Sequence, residues 1–236
     1  VGIGSSHLEC YMETQTPFSA VHLPAEAESA LRFAVQDLCR DFSAAGLEAP
    51  AIIENPRQAQ ESCIVPRIGL EGGPPESYRM ETTPAGTTPP RVLIEGADLR
   101  GCIYGIYRFS EEYLGVDPLY YWSDAAPRPN ESFLKLHRVI EDRPEGFSLR
   151  GWFINDEDLL TGWANSNAPR QRPHLPMLIH TPENLDRICE TALRAGQNFL
   201  IPSSFLDIDD PVQENLVKTV TDRGLMISQH HQEPLG

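Results

Sequence analysis

The sequence predicts an α/β fold in two parts. A small N-terminal α/β accessory domain occupies residues 1–143, and the first three β/α units of a TIM (β/α)8 barrel occupy residues 144–236. Three observations lead there. Short apolar runs alternate with segments of helical periodicity throughout. From Ser148 onward that alternation becomes strictly strand–helix. Each of the last three strand-like runs also ends in polar or ionisable side chains: Asn155-Asp156-Glu157-Asp158, Pro202-Ser203-Ser204 and His230-His231-Gln232-Glu233. In a parallel α/β barrel the C-terminal strand ends converge on one face, where the chemistry sits.

In the first part, residues 1–23 read as an entry strand and loop. Pro24-Ala25-Glu26 opens a helix running to about Ala45, with apolar residues at Ala30, Leu31, Ala34, Val35, Leu38 and Phe42, and Gly46 supplies a left-handed stop. Ala51-Ile52-Ile53 and Cys63-Ile64-Val65 read as short strands. The Gly-, Pro- and Thr-rich stretch from Gly69 to Pro90 holds Tyr78–Thr82 as a strand flanked by loops or as part of a hairpin, and Arg91–Gly96 is a further strand. Asp98 caps a second helix, Leu99 to Leu114, closed by Gly115. Its Gly101 and Gly105 lie four apart on one face, which suits close packing on a sheet better than a phosphate site, because no anion-binding loop precedes them. Tyr120-Tyr121-Trp122 reads as a short aromatic strand, and Phe133–Leu136 with Val139-Ile140 as a strand pair or a linker strand.

In the second part, the strand 149–154 is followed by a long polar loop. Thr181-Pro182-Glu183 is a strong helix start, and that helix ends at Gly196. Asn198–Ile201 is the second strand. A helix from Asp210-Pro211 to Arg223-Gly224 leads to the third, Leu225–Ser228. Three strands cannot close a barrel, which takes about 250 residues, so the chain is expected to be a piece of a longer protein.

The net charge of −15 argues against nucleic acid and anionic membranes as partners. No apolar run is long enough to span a bilayer. No charged-then-apolar leader stands at Val1, and the chain does not open on Met. The five cysteines show no CxxC pair, and Cys39, Cys102 and Cys189 fall on apolar helix faces, as buried free thiols do. Neither a metal-ligand spacing nor a cofactor motif stands out, so no metal and no cofactor are expected.

Several motifs in order carry a family resemblance. Ile94-Glu95-Gly96-Ala97-Asp98-Leu99-Arg100-Gly101-Cys102-Ile103-Tyr104-Gly105-Ile106-Tyr107, then Leu114-Gly115-Val116 and Tyr120-Tyr121-Trp122-Ser123-Asp124, resembles the end of the N-terminal domain of glycoside hydrolase family 115. Arg150-Gly151-Trp152-Phe153-Ile154-Asn155-Asp156-Glu157, with Thr161-Gly162-Trp163-Ala164, looks like that family's first barrel segment. His230-His231-Gln232-Glu233-Pro234 is similar to its His-His-Glu-Pro segment with a Gln inserted before Glu233. The helix motif alone also occurs in accessory domains of other glycosidases.

The resemblance implies an inverting α-glucuronidase that releases glucuronic acid or 4-O-methylglucuronic acid from xylan side chains. Such an enzyme needs one acid for the leaving oxygen and one base for water, about 6.5–9.5 Å apart. It implies that Asn155 and Asp156 belong to the active-site wall, and that one catalytic carboxylate comes from strands after Gly236, leaving this chain alone inactive. Glucuronoxylan is the expected partner, with a secreted or periplasmic address by analogy and a homo-oligomer possible for the full-length protein. The alternatives are another hexosidase of the same layout, or a non-catalytic carbohydrate-binding protein.

Residue by residue, Asp156 suits water activation or a sugar-hydroxyl contact, against a helix-capping role. Glu157 is the second catalytic candidate, with a structural pairing to Arg150 as its alternative. Asn155 suits bidentate hydrogen bonding to hydroxyls. Trp163 can stack on a sugar ring or fill a core. His230 and His231, with Glu233, can bind the uronate carboxylate or orient an acid, and a His pair is otherwise often structural. Arg170 and Arg172 can attract an anionic sugar or simply face solvent.

Overall fold

The computed structural model describes residues 18–55, 62–83, 91–130, 137–143, 146–154, 182–202 and 208–229. Among the described residues nine strands form two sheets. The first has the order β2-β1-β3-β5-β4-β6: β1 (Ala20–His22), β2 (Ala51–Ile53), β3 (Cys63–Ile68) and β5 (Arg91–Gly96) are parallel, while β4 (Tyr78–Thr82) runs antiparallel to both its neighbours, β5 and the edge strand β6 (Val139–Asp142). Alternation decides which face is covered. Tyr78, Met80 and Thr82 of β4 and Val92 and Ile94 of β5 are buried, and the residues between them are half-exposed.

Helix α1 (Ser29–Ala44) turns Ala30, Leu31, Ala34, Val35, Leu38 and Phe42 inward, and Gly46 stops it at φ 74°. It begins later than the sequence suggests, because residues 24–28 are held in a turn: Ala27 N–H donates to Pro24 O, and Arg32 donates to Ala27 O and Ala25 O. Helix α2 (Leu99–Phe109) is capped by Asp98, whose carboxylate accepts from Gly101 N–H at 2.9 Å. It widens into a π-helical turn, Ser110–Leu114, ended by Gly115 at φ 68°. The glycine pair is a packing feature. A Cβ on Gly101 would lie 2.2 Å from Ser77 O, and one on Gly105 would lie 2.5 Å from Ile94 Cγ2. Helix α2 is buried almost all round, because β3, β4 and β5 cover one side and other helices the rest.

The second sheet consists of β7 (Gly151–Phe153), β8 (Phe199–Ile201) and β9 (Met226–Ile227), all parallel in sequential order. Helices α4 (Pro182–Arg194) and α5 (Pro211–Asp222) lie between them in sequence and pack on each other. Strand–helix–strand units with adjacent parallel strands are the repeat of an α/β barrel. The α/β class is as expected, and a closed barrel is not among the described residues. Helix α4 also packs on α2, so one apolar core runs from Phe18, Phe42 and Phe109 to Leu185, Leu200 and Leu225.

One expected element is different. Tyr120-Tyr121-Trp122 is not a strand but a single helical turn, α3 (Tyr120–Ser123). Asp117 starts it by accepting from the N–H groups of Leu119 and Tyr120. The aromatic side chains then meet the second sheet and its helix: Tyr120 OH is 3.0 Å from Glu190 Oε1, and Trp122 stacks edge-on to Trp152 with ring centroids 5.9 Å apart. Tertiary contacts override an aromatic run's strand preference here. The other expected strand of that region, 133–136, lies outside the described residues.

Candidate functional site

The geometry that matters begins with the three parallel strands. In register, Gly151 faces Phe199 and Phe199 faces Met226. The ladder continues one step past the strands, with Ile154 N–H donating to Ile201 O at 2.8 Å and Ser228 N–H to Leu200 O at 3.3 Å. The chain therefore leaves the sheet at Ile154, Pro202 and Gln229 along one edge. The candidates Asn155, Asp156, Glu157, Trp163, His230, His231 and Glu233, with Arg170 and Arg172, all lie outside the described residues. What the described residues establish is the frame from which Asn155 and His230 follow in sequence.

The structural alternative for Glu157 is a pairing with Arg150, and Glu157 itself lies outside the described residues. Arg150, offered as its partner, has its guanidinium engaged at the opposite, N-terminal edge of the sheet. Its Nη2 lies 2.6 Å from Glu76 Oε2, Nε donates to Gly196 O at 2.9 Å, and Nη1 donates to Phe147 O at 2.7 Å.

Cavities lined by described residues open elsewhere. One of about 610 Å³ lies beside the loop Leu70–Pro74 and the ends of β4 and β6. One of about 390 Å³ lies between Phe33, α4 and α5. One of about 220 Å³ lies between Tyr78, Tyr104 and the end of α4. Among the described residues no three His, Cys, Asp or Glu side chains are placed to hold a metal ion. No helix among them is long and apolar enough to cross a membrane. Burial pushes the thiols of Cys39 and Cys102 up to about 11 and about 12, so neither is a thiolate nucleophile near neutrality.

Sequence reasoning missed a buried ionic cluster where α1, α2, α3 and α4 meet. Arg194 has its side chain 2% exposed and pairs with Asp41 at 2.7 Å and Glu190 at 2.8 Å. Its guanidinium also lies over the Tyr107 ring at 4.5 Å. Arg40 and Arg187 close on Glu190 at 2.7 and 2.8 Å. Arg223 bonds Asp37 and Asp186, and Tyr107 OH donates to Asp37 at 2.7 Å. The Arg187–Glu190, Glu190–Arg194 and Arg40–Asp37 pairs have local helical spacing, whereas the pairs that join different helices left no signal in the sequence. The cluster joins the two sheets' helices and lies away from the strand ends.

Its protonation fixes an acid limit. Burial raises the Glu190 carboxyl, but the guanidiniums of Arg194, Arg40 and Arg187 outweigh that and hold it at about 2, below its ordinary 4.5. Glu76 is also lowered, because hydrogen bonds from Asn198, Arg150 and Arg100 outweigh its burial. A carboxyl lowered on folding stabilises fully above its unfolded value, and that contribution is lost as pH falls through the folded value. Asp41 works in reverse, because burial raises it despite Arg194 and Ser110; its contribution is complete below 3.8 and fades as pH rises through its own value. Thermal unfolding of the full-length protein across pH should therefore show stability falling from about pH 4.5 toward pH 2, and Glu190→Gln should flatten that fall. An unchanged slope in the variant would remove Glu190 as its source.

Comparison with known proteins follows this geometry. Residues 143–236 match the model of the family described as Glycosyl hydrolase family 115, and they hold the Arg150–Glu157 and His230–Pro234 motifs. Among solved structures the chain is similar to BtGH115A, a family GH115 4-O-methyl-α-glucuronidase with specificity for decorated arabinogalactans. Identity is 20%, the TM-score is 0.67, and 92% of this chain and 29% of that chain are covered. It is also similar to a GH138 enzyme targeting pectin rhamnogalacturonan II, at 15% identity and TM-score 0.52, over 89% of this chain and 31% of that one. This chain thus spans less than a third of either structure's length. No curated protein matches it. The resemblance to glycoside hydrolase family 115 holds over residues 143–236, and the fold of the chain is similar to one part of each of these longer structures.

Proposed function

We propose that the full-length protein is a glycoside hydrolase that removes glucuronic acid or 4-O-methylglucuronic acid from polysaccharide side chains, with inversion at the anomeric carbon. The observation that carries this reading is the family 115 match over residues 143–236. It is supported by three parallel strands that direct the chain from one edge at Ile154, Pro202 and Gln229.

In this reading Asp156 activates the attacking water, and Glu157 is the second carboxylate candidate of this chain. Asn155 bonds sugar hydroxyls and Trp163 stacks on the ring. His230 and His231, with Glu233 nearby in sequence, bind or orient the uronate end. A protein of net charge −15 needs such local donors to accept an anionic sugar. The remaining carboxylate comes from other parts of the longer protein, so residues 1–236 alone release no sugar. Xylan side chains are the first substrate. The arabinogalactan specificity of the GH115 structure makes a decorated arabinogalactan the second. Both polymers place the protein outside the cytoplasm.

Incubating the full-length protein with glucuronoxylan and with a glucuronosylated arabinogalactan tests this. Released uronic acid whose first anomer by NMR is β supports an inverting α-glucuronidase. Release of neither uronic acid from either polymer rejects the reading, and an α product rejects inversion.

A further inference from the structure

The N-terminal edge of the three-stranded sheet is gripped by side chains from the first part of the chain, and the grip reaches every strand entry. Asn198, 1% exposed, stands just before β8. Its Oδ1 accepts from Arg150 N–H at 2.9 Å, and its Nδ2 donates to Ser148 O at 2.8 Å and Glu76 Oε1 at 2.9 Å. Its backbone donates to Arg150 O and accepts from Met226 N–H, each at 2.8 Å. One residue thereby ties the starts of β7, β8 and β9.

Glu76 completes the arrangement from the loop before β4. Its carboxylate takes Asn198 and the guanidiniums of Arg100 and Arg150, the latter two at 2.6 Å. Its backbone N–H donates to Asp98 at 2.8 Å, and it is held at φ 63°, a conformation that non-glycine residues rarely adopt. Strain of that kind persists only where the surroundings over-determine it. Helix α2 adds two more bonds: Arg100 donates to Gly224 O, before β9, and Tyr104 OH donates to Gln197 O, before β8.

We propose that Glu76 and Asn198 are positioning residues, which set the height and register of β7, β8 and β9 from their N-terminal edge, and with it the points at which the chain leaves the C-terminal edge at Ile154, Pro202 and Gln229. The inference rests on the proposed glycosidase reading for its consequence in activity. From Arg150 to Ile154 is about 13 Å of strand, at about 3.3 Å per residue. An extended strand transmits a shift along its axis with little loss, and a misplacement of about 1 Å at a reacting centre costs about 100-fold in rate.

The test uses two isosteric variants of the full-length protein. Glu76→Gln removes the charge facing Arg100 and Arg150. Asn198→Asp replaces the amide donor by an oxygen facing Glu76. Kinetics per folded molecule are combined with hydrogen exchange at Ile154 and Ser228, whose amides close the ladder at the far edge, and at Leu23, whose amide bonds Ile53 O in the other sheet. The expected result is a kcat lowered roughly 10- to 100-fold with KM nearly unchanged, and faster exchange at Ile154 and Ser228 than at Leu23. A purely structural role would lower the folded fraction and leave kcat of the folded molecules intact, and that result overturns the proposal. If the wild-type protein releases no uronic acid, the glycosidase reading fails by itself. Exchange then decides alone, with selective acceleration at Ile154 and Ser228 supporting the positioning role and uniform acceleration rejecting it.

Discussion

Arg194→Leu should remove about 3–5 kcal/mol of stability, as breaking one side of a buried ion pair does. The reason is the company Arg194 leaves behind. Asp41 and Glu190 are 3% and 0% exposed, and Arg194 donates to both. Glu190 would keep Arg40 and Arg187, whose side chains are 36% and 35% exposed. Among the described residues, the Ser110 hydroxyl would remain as a side-chain donor to Asp41. Desolvation already raises Asp41 with Arg194 in place, so without it the carboxyl should take up a proton in the folded state. The deficit should therefore narrow as pH falls. The loss is also structural, because Arg194 lies over Tyr107 at 4.5 Å and Tyr120 at 5.3 Å, which belong to α2 and α3. A fall in Tm of roughly 2–4 °C per kcal/mol is expected for a unit of this size. The check is thermal unfolding of the variant at several pH values. A loss below about 1 kcal/mol, the range of exposed pairs, would mean that water reaches the cluster. The companion Asp41→Asn/Arg194→Leu should recover part of the loss by removing both opposite charges together.

That cluster also marks where sequence reading stops. The punctuation of the fold is local and could be read. Asp98 caps α2, Gly115 ends its π-helical turn at φ 68°, and Gly46, Gly196 and Gly224 all take positive φ at helix ends. The strand ends were readable for the same reason, since a short apolar run followed by amides and acids is a contiguous pattern. The Arg194–Asp41 pair spans 153 residues and the Arg223–Asp37 pair 186, and no periodicity connects such positions. Glu76 had no signal at all, because its role comes from a turn geometry and from partners 74 and 122 residues away. The aromatic run at Tyr120 misled because its strand preference is correct for an isolated segment and is overruled by contacts with Glu190 and Trp152. Helix α2 was readable as a helix but not as the element shared between both sheets. Its burial on nearly every side is visible only when α4 is placed against it.

The other large expected effect is on activity. Asp156→Ala in the full-length protein should lower kcat by about 100- to 10,000-fold, the range a positioned acid or base contributes. The argument starts from the chain's exit at Ile154, whose amide is held to Ile201 O at 2.8 Å, so the segment entering Asn155-Asp156-Glu157 departs from a fixed strand end. Groups just beyond such ends are held by a rigid scaffold and carry chemistry in parallel α/β folds. If Asp156 takes a proton from water, azide should restore much of the lost release, because an anionic nucleophile needs no base. Restored release with the azide adduct in the inverted configuration assigns the base role. Lost activity without azide rescue and with a raised KM assigns a hydroxyl contact instead. Turnover equal to wild type makes Asp156 a helix cap, for which the measurable loss is about 1 kcal/mol of stability. Asp156→Asn separates these further. It retains hydrogen bonding to a hydroxyl and can still cap a helix, but it cannot accept a proton, so only the base role predicts a full loss of turnover from so small a change.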